Sequence, residues 1–453
     1  MKLINRHIFL LFMALTLAGM AVSCVNDNYP DSDGGNDNKD KIFLVLNVSP
    51  VSTRSSGASV TEKIQSLRII ILDTDRDSLE VNHYVDLNDE NSEPLPVDYF
   101  TYNYTWPTEK GNKKIYLVAN EESVNDLKFQ PLPGVTLPQG QPAANLTGLL
   151  DTFKAGKGKT GDFINTMDAI YFQPVYQGNE DNEIFLPYVS VYDIVAKEGI
   201  GNETICTTYL VPVATKFTFQ FINSRTAPVN IDEITVSSAA DLNFLFARVG
   251  TSDMYKDLIT ETSVQRQLYW VDWLAQISAL SNQYSDYYPN INFNEEFGWI
   301  SNFSLPTSHT INPMTFVNNS DAPIPIPAAG VEDPGELILG PFYVPESINT
   351  YTYTDRNNNQ VTDTGYFLTL RLSDNSVQQP PVFEDVMIDN LHSLFRNTSV
   401  IIIVKMSHGN VDIYAEISDW GRNYASGWVT EDSDDDDDSE VVEETQRGTW
   451  NED

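Results

Sequence analysis

Ile42-Phe43-Leu44-Val45-Leu46-Asn47-Val48 and Leu67-Arg68-Ile69-Ile70-Ile71-Leu72 are the two runs that decide the fold class. Both are rich in β-branched and large apolar residues, which favour a pleated, buried surface, and the second run begins as early as Ile64. Between them lies Ser49-Pro50-Val51-Ser52-Thr53-Arg54-Ser55-Ser56-Gly57-Ala58-Ser59, small, polar and rich in breakers. Such a composition predicts an exposed loop that a protease can enter.

Working outward, strand signals dominate from Lys41 onward. The strongest are Lys113 to Ala119, Ala169 to Phe172, Lys216 to Ile222, Ile231 to Val236, Gly365 to Leu372 and Val400 to Met406. Clusters of Pro, Gly, Asn and Asp separate them, and Asp355-Arg356-Asn357-Asn358-Asn359 predicts a hairpin tip. Many short strands at modest spacing indicate an all-β chain of sandwich or Greek-key type. Helical signal is thin: Asp257 to Leu280 predicts at most a short helix with Trp270, Trp273 and Leu274 on one side. Strand patterning gives way to this aromatic-rich connector near Leu245, which sets the expected boundary between an N-terminal domain (41–245) and a C-terminal domain (246–430).

Near the C-terminus, Val400-Ile401-Ile402-Ile403-Val404 is a continuous apolar run, the pattern of a strand covered on both faces. After Ser407-His408-Gly409-Asn410 the next stretch alternates. Val411, Ile413, Ala415 and Ile417 share one face, and Asp412, Tyr414, Glu416 and Ser418 share the other, ending at Asp419-Trp420. Residues 431–453 follow, dense in Asp and Glu; like charges at this density repel and predict an unstructured, solvated tail.

At the other end, Lys2 and Arg6 precede an apolar run from Ile8 to Val22 and then Ser23-Cys24. The run is short for a spanning helix and has the charged flank and small-residue exit of a secretory signal over residues 1–23. Met20-Ala21-Val22-Ser23-Cys24 fits a lipoprotein lipobox, with Ala21 where leucine is commonest; an ordinary secretory signal with an incidental cysteine is the other reading. Lipid on Cys24 would hold the chain to a membrane, each buried CH₂ contributing about 0.8 kcal/mol. Residues 24–40, rich in Asn, Asp and Gly, read as a flexible acidic tether.

Composition excludes several function classes. The chain has 453 residues, enough for about two domains. With 64 acidic against 27 basic residues its formal net charge is −37, which argues against nucleic acid, whose phosphates require a positive surface. Of two cysteines, Cys24 is taken by the lipobox reading and Cys206 is left without a disulfide partner, a small strand residue rather than a nucleophile.

Catalytic constellations are poor. Lys157-Gly158-Lys159-Thr160 lacks the upstream glycine of a phosphate loop, because Phe153 stands there, and reads as a basic turn. Asp73, Asp75 and Asp77 alternate as in a calcium loop, yet Ser78 replaces the turn glycine and Tyr84 the terminal glutamate, so a polar turn is expected. The histidines are scattered and there is no Gly-x-Ser-x-Gly elbow, so neither an enzyme nor a cofactor is expected.

Four further stretches stand in a recognisable order behind the signal. They are Lys114-Ile115-Tyr116-Leu117-Val118-Ala119-Asn120-Glu121, Val213-Ala214-Thr215-Lys216-Phe217-Thr218-Phe219, Pro341-Phe342-Tyr343-Val344-Pro345-Glu346 and Leu394-Phe395-Arg396-Asn397. With the two runs that open the chain, this order resembles the fimbrillin family of Bacteroides-type bacteria, the precursors of type V pili. The resemblance implies two β-sandwich-like domains of Greek-key or transthyretin-like type. It also implies export as an outer-membrane lipoprotein carrying palmitate on Cys24, and a fimbrial location after processing. An arginine-specific protease would cut between Arg54 and Ser55. The first strand (41–54), with Ile42, Phe43, Leu44, Val45, Leu46 and Val48, would then leave, and a neighbour's C-terminal strand would fill its groove. The donor role falls to Val411, Ile413, Ala415, Ile417 and Trp420, continuing to about Trp428. The implied partners are other pilus subunits, the protease, the membrane and a host or bacterial surface receptor. An anchor or tip accessory subunit is one alternative. A surface glycan-binding lipoprotein using Trp270, Trp273 or Trp299 is the other.

Overall fold

A computed structural model describes residues 42–50, 62–87, 102–131, 134–137, 144–175, 184–197, 203–246, 311–318, 323–330, 333–347, 350–354, 358–373, 382–388, 391, 394, 396, 398–407, 410–419 and 446–449. In chain order the first strands are β1 (Ile42–Pro50), β2 (Ser66–Asp73), β3 (Ser78–Asp86), β4 (Tyr102–Thr108), β5 (Gly111–Ala119) and β6 (Lys128–Phe129). Two short helices follow, α1 (Leu146–Leu150) and α2 (Thr160–Ala169). Next come β7 (Ile170–Phe172), β8 (Tyr188–Ala196), β9 (Glu203–Pro212), β10 (Thr215–Asn223), β11 (Val229–Ala240) and β12 (Asn243–Phe244). The remainder is β13 (Ile311–Asn318), β14 (Ile324–Ile326), β15 (Gly335–Val344), β16 (Thr350–Thr354), β17 (Gln360–Thr364), β18 (Tyr366–Ser373), β19 (Val382–Ile388), β20 (Thr398–Ser407), β21 (Asn410–Asp419) and β22 (Gln446–Thr449). The chain is all-β in the sense expected, and 355–359 does lie between the antiparallel strands β16 and β17.

The N-terminal strands form one sheet in the order β3-β2-β5-β8-β9-β1-β4. Its two halves are joined in the ladder where Tyr188 and Val189 of β8 face Pro212 and Val211 of β9. One hydrophobic cluster collects side chains from both halves: Leu44, Leu46 and Val48 of β1 with Leu67, Ile69 and Ile71 of β2 and Ile115 and Leu117 of β5. The other face of β2 and β5 packs Ile70, Leu72, Tyr116 and Val118 against α1, α2 and β7. Burial on both faces is why β2 reads as an unbroken apolar run.

The later strands make two more sheets, β15-β10-β20-β21-β22 and β13-β11-β18-β19, with β14 beside β11. They enclose a second cluster, in which Phe217, Phe219 and Phe221 of β10 and Val400, Ile402 and Val404 of β20 meet Ile231, Ile234 and Val236 of β11 and Leu368, Leu370 and Leu372 of β18. Strand membership therefore changes near Ala214, about thirty residues before the boundary expected at 245. β10 and β11 belong with the strands after 310, while β12 turns back to pair with β7. The strand signal ran through that change because patterning reports burial, and both sides of it are buried. A second difference lies in the acidic tail, expected to be unstructured over 431–453: Gln446–Thr449 forms β22 along Asn410 to Ile413 of β21.

Candidate functional site

β1 is an interior strand. It runs antiparallel to β4, from Ile42 opposite Thr108 to Val48 opposite Tyr102, and parallel to β9, from Phe43 opposite Glu203 to Pro50 opposite Leu210. Ile42, Leu44, Leu46 and Val48 are at most 1% exposed, whereas Phe43, Val45 and Asn47 on the other face are half-buried. The alternation is the period of a strand buried on one side. Beyond β1, β4 ends the sheet and carries Pro107, a residue that edge strands tolerate because it has no N–H to give a ladder. β1 is thus a slot between β9 and β4, filled by the first described segment of the chain.

Cys206 stands in β9 opposite Leu46 and shares its cluster. Burial pushes its thiol up to about 11, so it is a packed apolar group at neutral pH, as expected.

The four motif stretches converge on buried polar pins. Asn120, in the left-handed conformation at φ 55°, donates its amide to the carbonyls of Lys63 (2.8 Å) and Leu186 (2.7 Å) and accepts from the Gln65 N–H (2.8 Å). Glu121, fully buried, takes a two-point hydrogen bond of 2.6 Å each from Arg68, and burial pushes its carboxyl up against the opposing pull of that guanidinium. Lys216 Nζ and Tyr343 Oη both donate to Glu62 Oε1, each at 2.8 Å. Arg396 forks onto Glu346 with Nε 2.8 Å and Nη2 2.5 Å away, and also donates to the carbonyls of Leu245 and Phe244 at 2.8 Å. The stretches that make the sequence recognisable therefore carry polar and charged groups that tie distant strands together.

The two weak catalytic motifs resolve into turn chemistry. Asp73 accepts from Lys113 Nζ at 2.6 Å and from the N–H groups of Asp75 and Arg76; Asp75 binds Asn112; Asp77 accepts from the Thr160 N–H at 2.9 Å. That last bond caps α2 with an acid, so the Lys157-Gly158-Lys159-Thr160 turn presents a carboxylate where a phosphate loop presents free N–H groups. Among the described residues no cluster of His, Cys, Asp and Glu can hold a metal ion.

Of the residues expected to donate a strand, Val411, Ile413 and Ala415 are buried in the C-terminal cluster, and β21 pairs with β20 along its whole length, from Asn410 opposite Ser407 to Asp419 opposite Thr398. Ile417 lies in the same strand opposite Val400. Tyr414, placed by alternation on the outer face, is 7% exposed, its ring beneath the Lys405 ammonium at 5.0 Å. Cys24, Arg54, Ser55, Trp270, Trp273, Trp299 and Trp420 lie outside the described residues.

No family model matches the chain, and no curated protein does. Solved structures do. The tip fimbrial protein Mfa3 of Porphyromonas gingivalis is 13% identical over 84% of this chain and 100% of its own, with a TM-score of 0.42. A fimbrial assembly protein of Parabacteroides distasonis is 9% identical over 83% and 98%, at 0.36. The fimbrial anchor protein Mfa2 of Porphyromonas gingivalis is 8% identical over 84% and 99%, at 0.28. All three are fimbrial proteins.

Proposed function

We propose that the chain is the precursor of a pilus subunit, exported as a lipoprotein through Cys24, cut after Arg54 and assembled by replacement of β1 with a strand from a neighbouring subunit. The observation that carries this reading is the position of β1: first among the described strands, interior to its sheet, and followed by an arginine-bearing polar stretch. Four inward side chains at about 2 kcal/mol each contribute roughly 8 kcal/mol, before ordering costs reduce it. Two ladders add net hydrogen bonds of about 1 kcal/mol apiece. An emptied slot would leave the facing edges of β9 and β4 unpaired and the cluster open to water. A neighbour's alternating strand restores both, and a head-to-tail contact of this kind that does not close grows a filament.

Accessory status is the second reading, and β21 favours it. To donate Val411, Ile413 and Ala415, the subunit has to withdraw them from its own core, and a subunit that retains β21 there ends a fibre or anchors it. Arg54→Ala tests the main reading: cells carrying it should display a folded precursor and no fibres, and abundant fibres defeat the proposal. The N-terminal sequence of surface material separates the two readings. Ser55 marks a polymerising subunit, and lipid-modified Cys24 marks an anchor.

A further inference from the structure

The segment just past the removable strand is fastened more thoroughly than strand pairing requires. Glu62 is 6% exposed; beyond its carboxylate bonds to Lys216 and Tyr343, its main-chain carbonyl accepts from Tyr188 Oη at 2.9 Å. Lys216 and Tyr343 are register partners on β10 and β15, so the carboxylate reaches the sheet that β1 does not belong to. The next residues are held by Asn120, whose amide binds the Lys63 carbonyl and whose carbonyl oxygen accepts from the Gln65 N–H. Leu87 N–H donates to the Gln65 carbonyl at 2.8 Å, and Ser66 Oγ donates to Glu122 at 2.7 Å. Each of these bonds runs to β8, β10, β15 or the strands around β2, and none of them to β1.

Building on the strand-replacement reading, we infer that Glu62 to Ser66, pinned by Lys216, Tyr343 and Asn120, is the stop at which proteolysis of the precursor ends. It keeps the body closed when β1 leaves. Only two basic residues stand between β1 and β2, Arg54 and Lys63. A protease must draw several residues into an extended strand and attack the scissile carbonyl. At Lys63 that carbonyl is already the acceptor of the Asn120 amide, and its neighbour Glu62 is anchored on both the side chain and the main chain. An arginine- or lysine-directed protease therefore finds Arg54 and is turned away at Lys63. A cut at Lys63 would sever the Glu62 bonds from β2 and release the tie between the N-terminal sheet and β10.

Limited trypsin digestion of the full folded chain, followed by N-terminal sequencing and intact mass over time, tests this. The wild type should yield a product beginning at Ser55 that persists, with Ile64 starts accumulating at least about tenfold more slowly. Asn120→Gly keeps the left-handed backbone open to residue 120 while deleting the amide. It should bring the Ile64 product up to the rate of the Ser55 product, with buried Lys113 still protected as the sign that the fold holds. Should that variant cut everywhere, Tyr343→Phe, which removes a single donor from Glu62, carries the test with a smaller rise at Ile64. Wild-type cleavage at Lys63 as fast as at Arg54 overturns the inference, and so does a folded variant with no gain there. Resistance at Arg54 as well removes the protease-accessible segment and defeats the stop with it. Digestion needs no assembly, so an absence of fibres would sink the pilus reading and leave this result standing.

Discussion

β1 and β10 occupy equivalent places in their sheets, and the difference between them bears on the proposal that β1 is the strand replaced. Each lies between one antiparallel neighbour and one parallel neighbour: β4 and β9 for β1, β15 and β20 for β10. Each turns one full face into a core. β10 is flanked by bonds from the Val213 N–H to the Pro187 carbonyl (2.9 Å) and from the Ser224 N–H to the Met406 carbonyl (2.8 Å). Its inward apolar residues are Phe217, Phe219 and Phe221, and the rings of Phe217 and Phe219 meet Phe316 or Phe342 at 5.0 to 6.1 Å. β1 presents Ile, Leu, Leu and Val instead. Aliphatic side chains of similar volume substitute for one another at small cost, while interlocked rings fix their own geometry. A slot lined for aliphatics would accept another alternating strand at small cost. A slot shaped around Phe217, Phe219 and Phe221 would not.

Core truncation on the two strands breaks the comparison most directly. Phe219→Ala should cost about 3–5 kcal/mol in chemical denaturation, before and after a cut at Arg54. Leu46→Ala should cost about 2–5 kcal/mol in the intact chain and nothing once β1 has left. A Leu46→Ala penalty that survives the cut at Arg54 would mean that β1 never vacates its slot.

The thiol of Cys206 sharpens the same contrast without perturbing the core. Facing Leu46 in β9, it is held protonated by burial, with its pKa near 11. If β1 leaves as proposed, the thiol is uncovered and returns toward the ordinary value near 8.5, which would raise the thiolate fraction at pH 7.5 by about 300-fold. Maleimide labelling should therefore be slow in the precursor, fast in the cut chain stripped of β1, and slow again after a donor strand fills the slot. Equal rates in all three states would show that β9 is never exposed.

Much of this was legible in the sequence where the signal is local. β1, β2, β20 and β21 follow from apolar runs and alternation, and the antiparallel pairing of β16 with β17 from the composition of the residues between them. The parallel partnership of β1 with β9 was not legible, because Leu46 and Cys206 are 160 positions apart and no local pattern encodes that pairing. α1 and α2 escaped notice because five and ten residues are too few for helical periodicity to stand out. The pins were half visible: Asn120, Lys216, Tyr343, Glu346 and Arg396 all lie in the stretches that make the chain recognisable. Glu62, the common target of Lys216 and Tyr343, lies in none of them. A buried acid has no sequence signature of its own, since only its distant partners make burial tolerable.

Acid should separate the two sheets most gently. In the β2–β3 hairpin, burial alone would push the Asp73 carboxyl up. The Lys113 ammonium at 2.6 Å and the Arg76 N–H at 2.9 Å outweigh it and hold the group below the ordinary carboxylate range. The unfolded chain therefore takes up a proton here before the folded one does. The stabilisation is complete above the unfolded value near 3.9 and is lost as pH falls through the lower, folded value. Denaturant midpoints measured from pH 7 down to pH 3 should fall in wild type and fall less steeply in Asp73→Asn, whose side chain no longer titrates. Phe219→Ala, which touches no titrating group in the C-terminal cluster, should shift the whole curve down without changing its slope. Parallel curves for Asp73→Asn and wild type would show that the Lys113–Asp73 pair contributes nothing to the acid response, and that the N-terminal sheet opens in acid by another route.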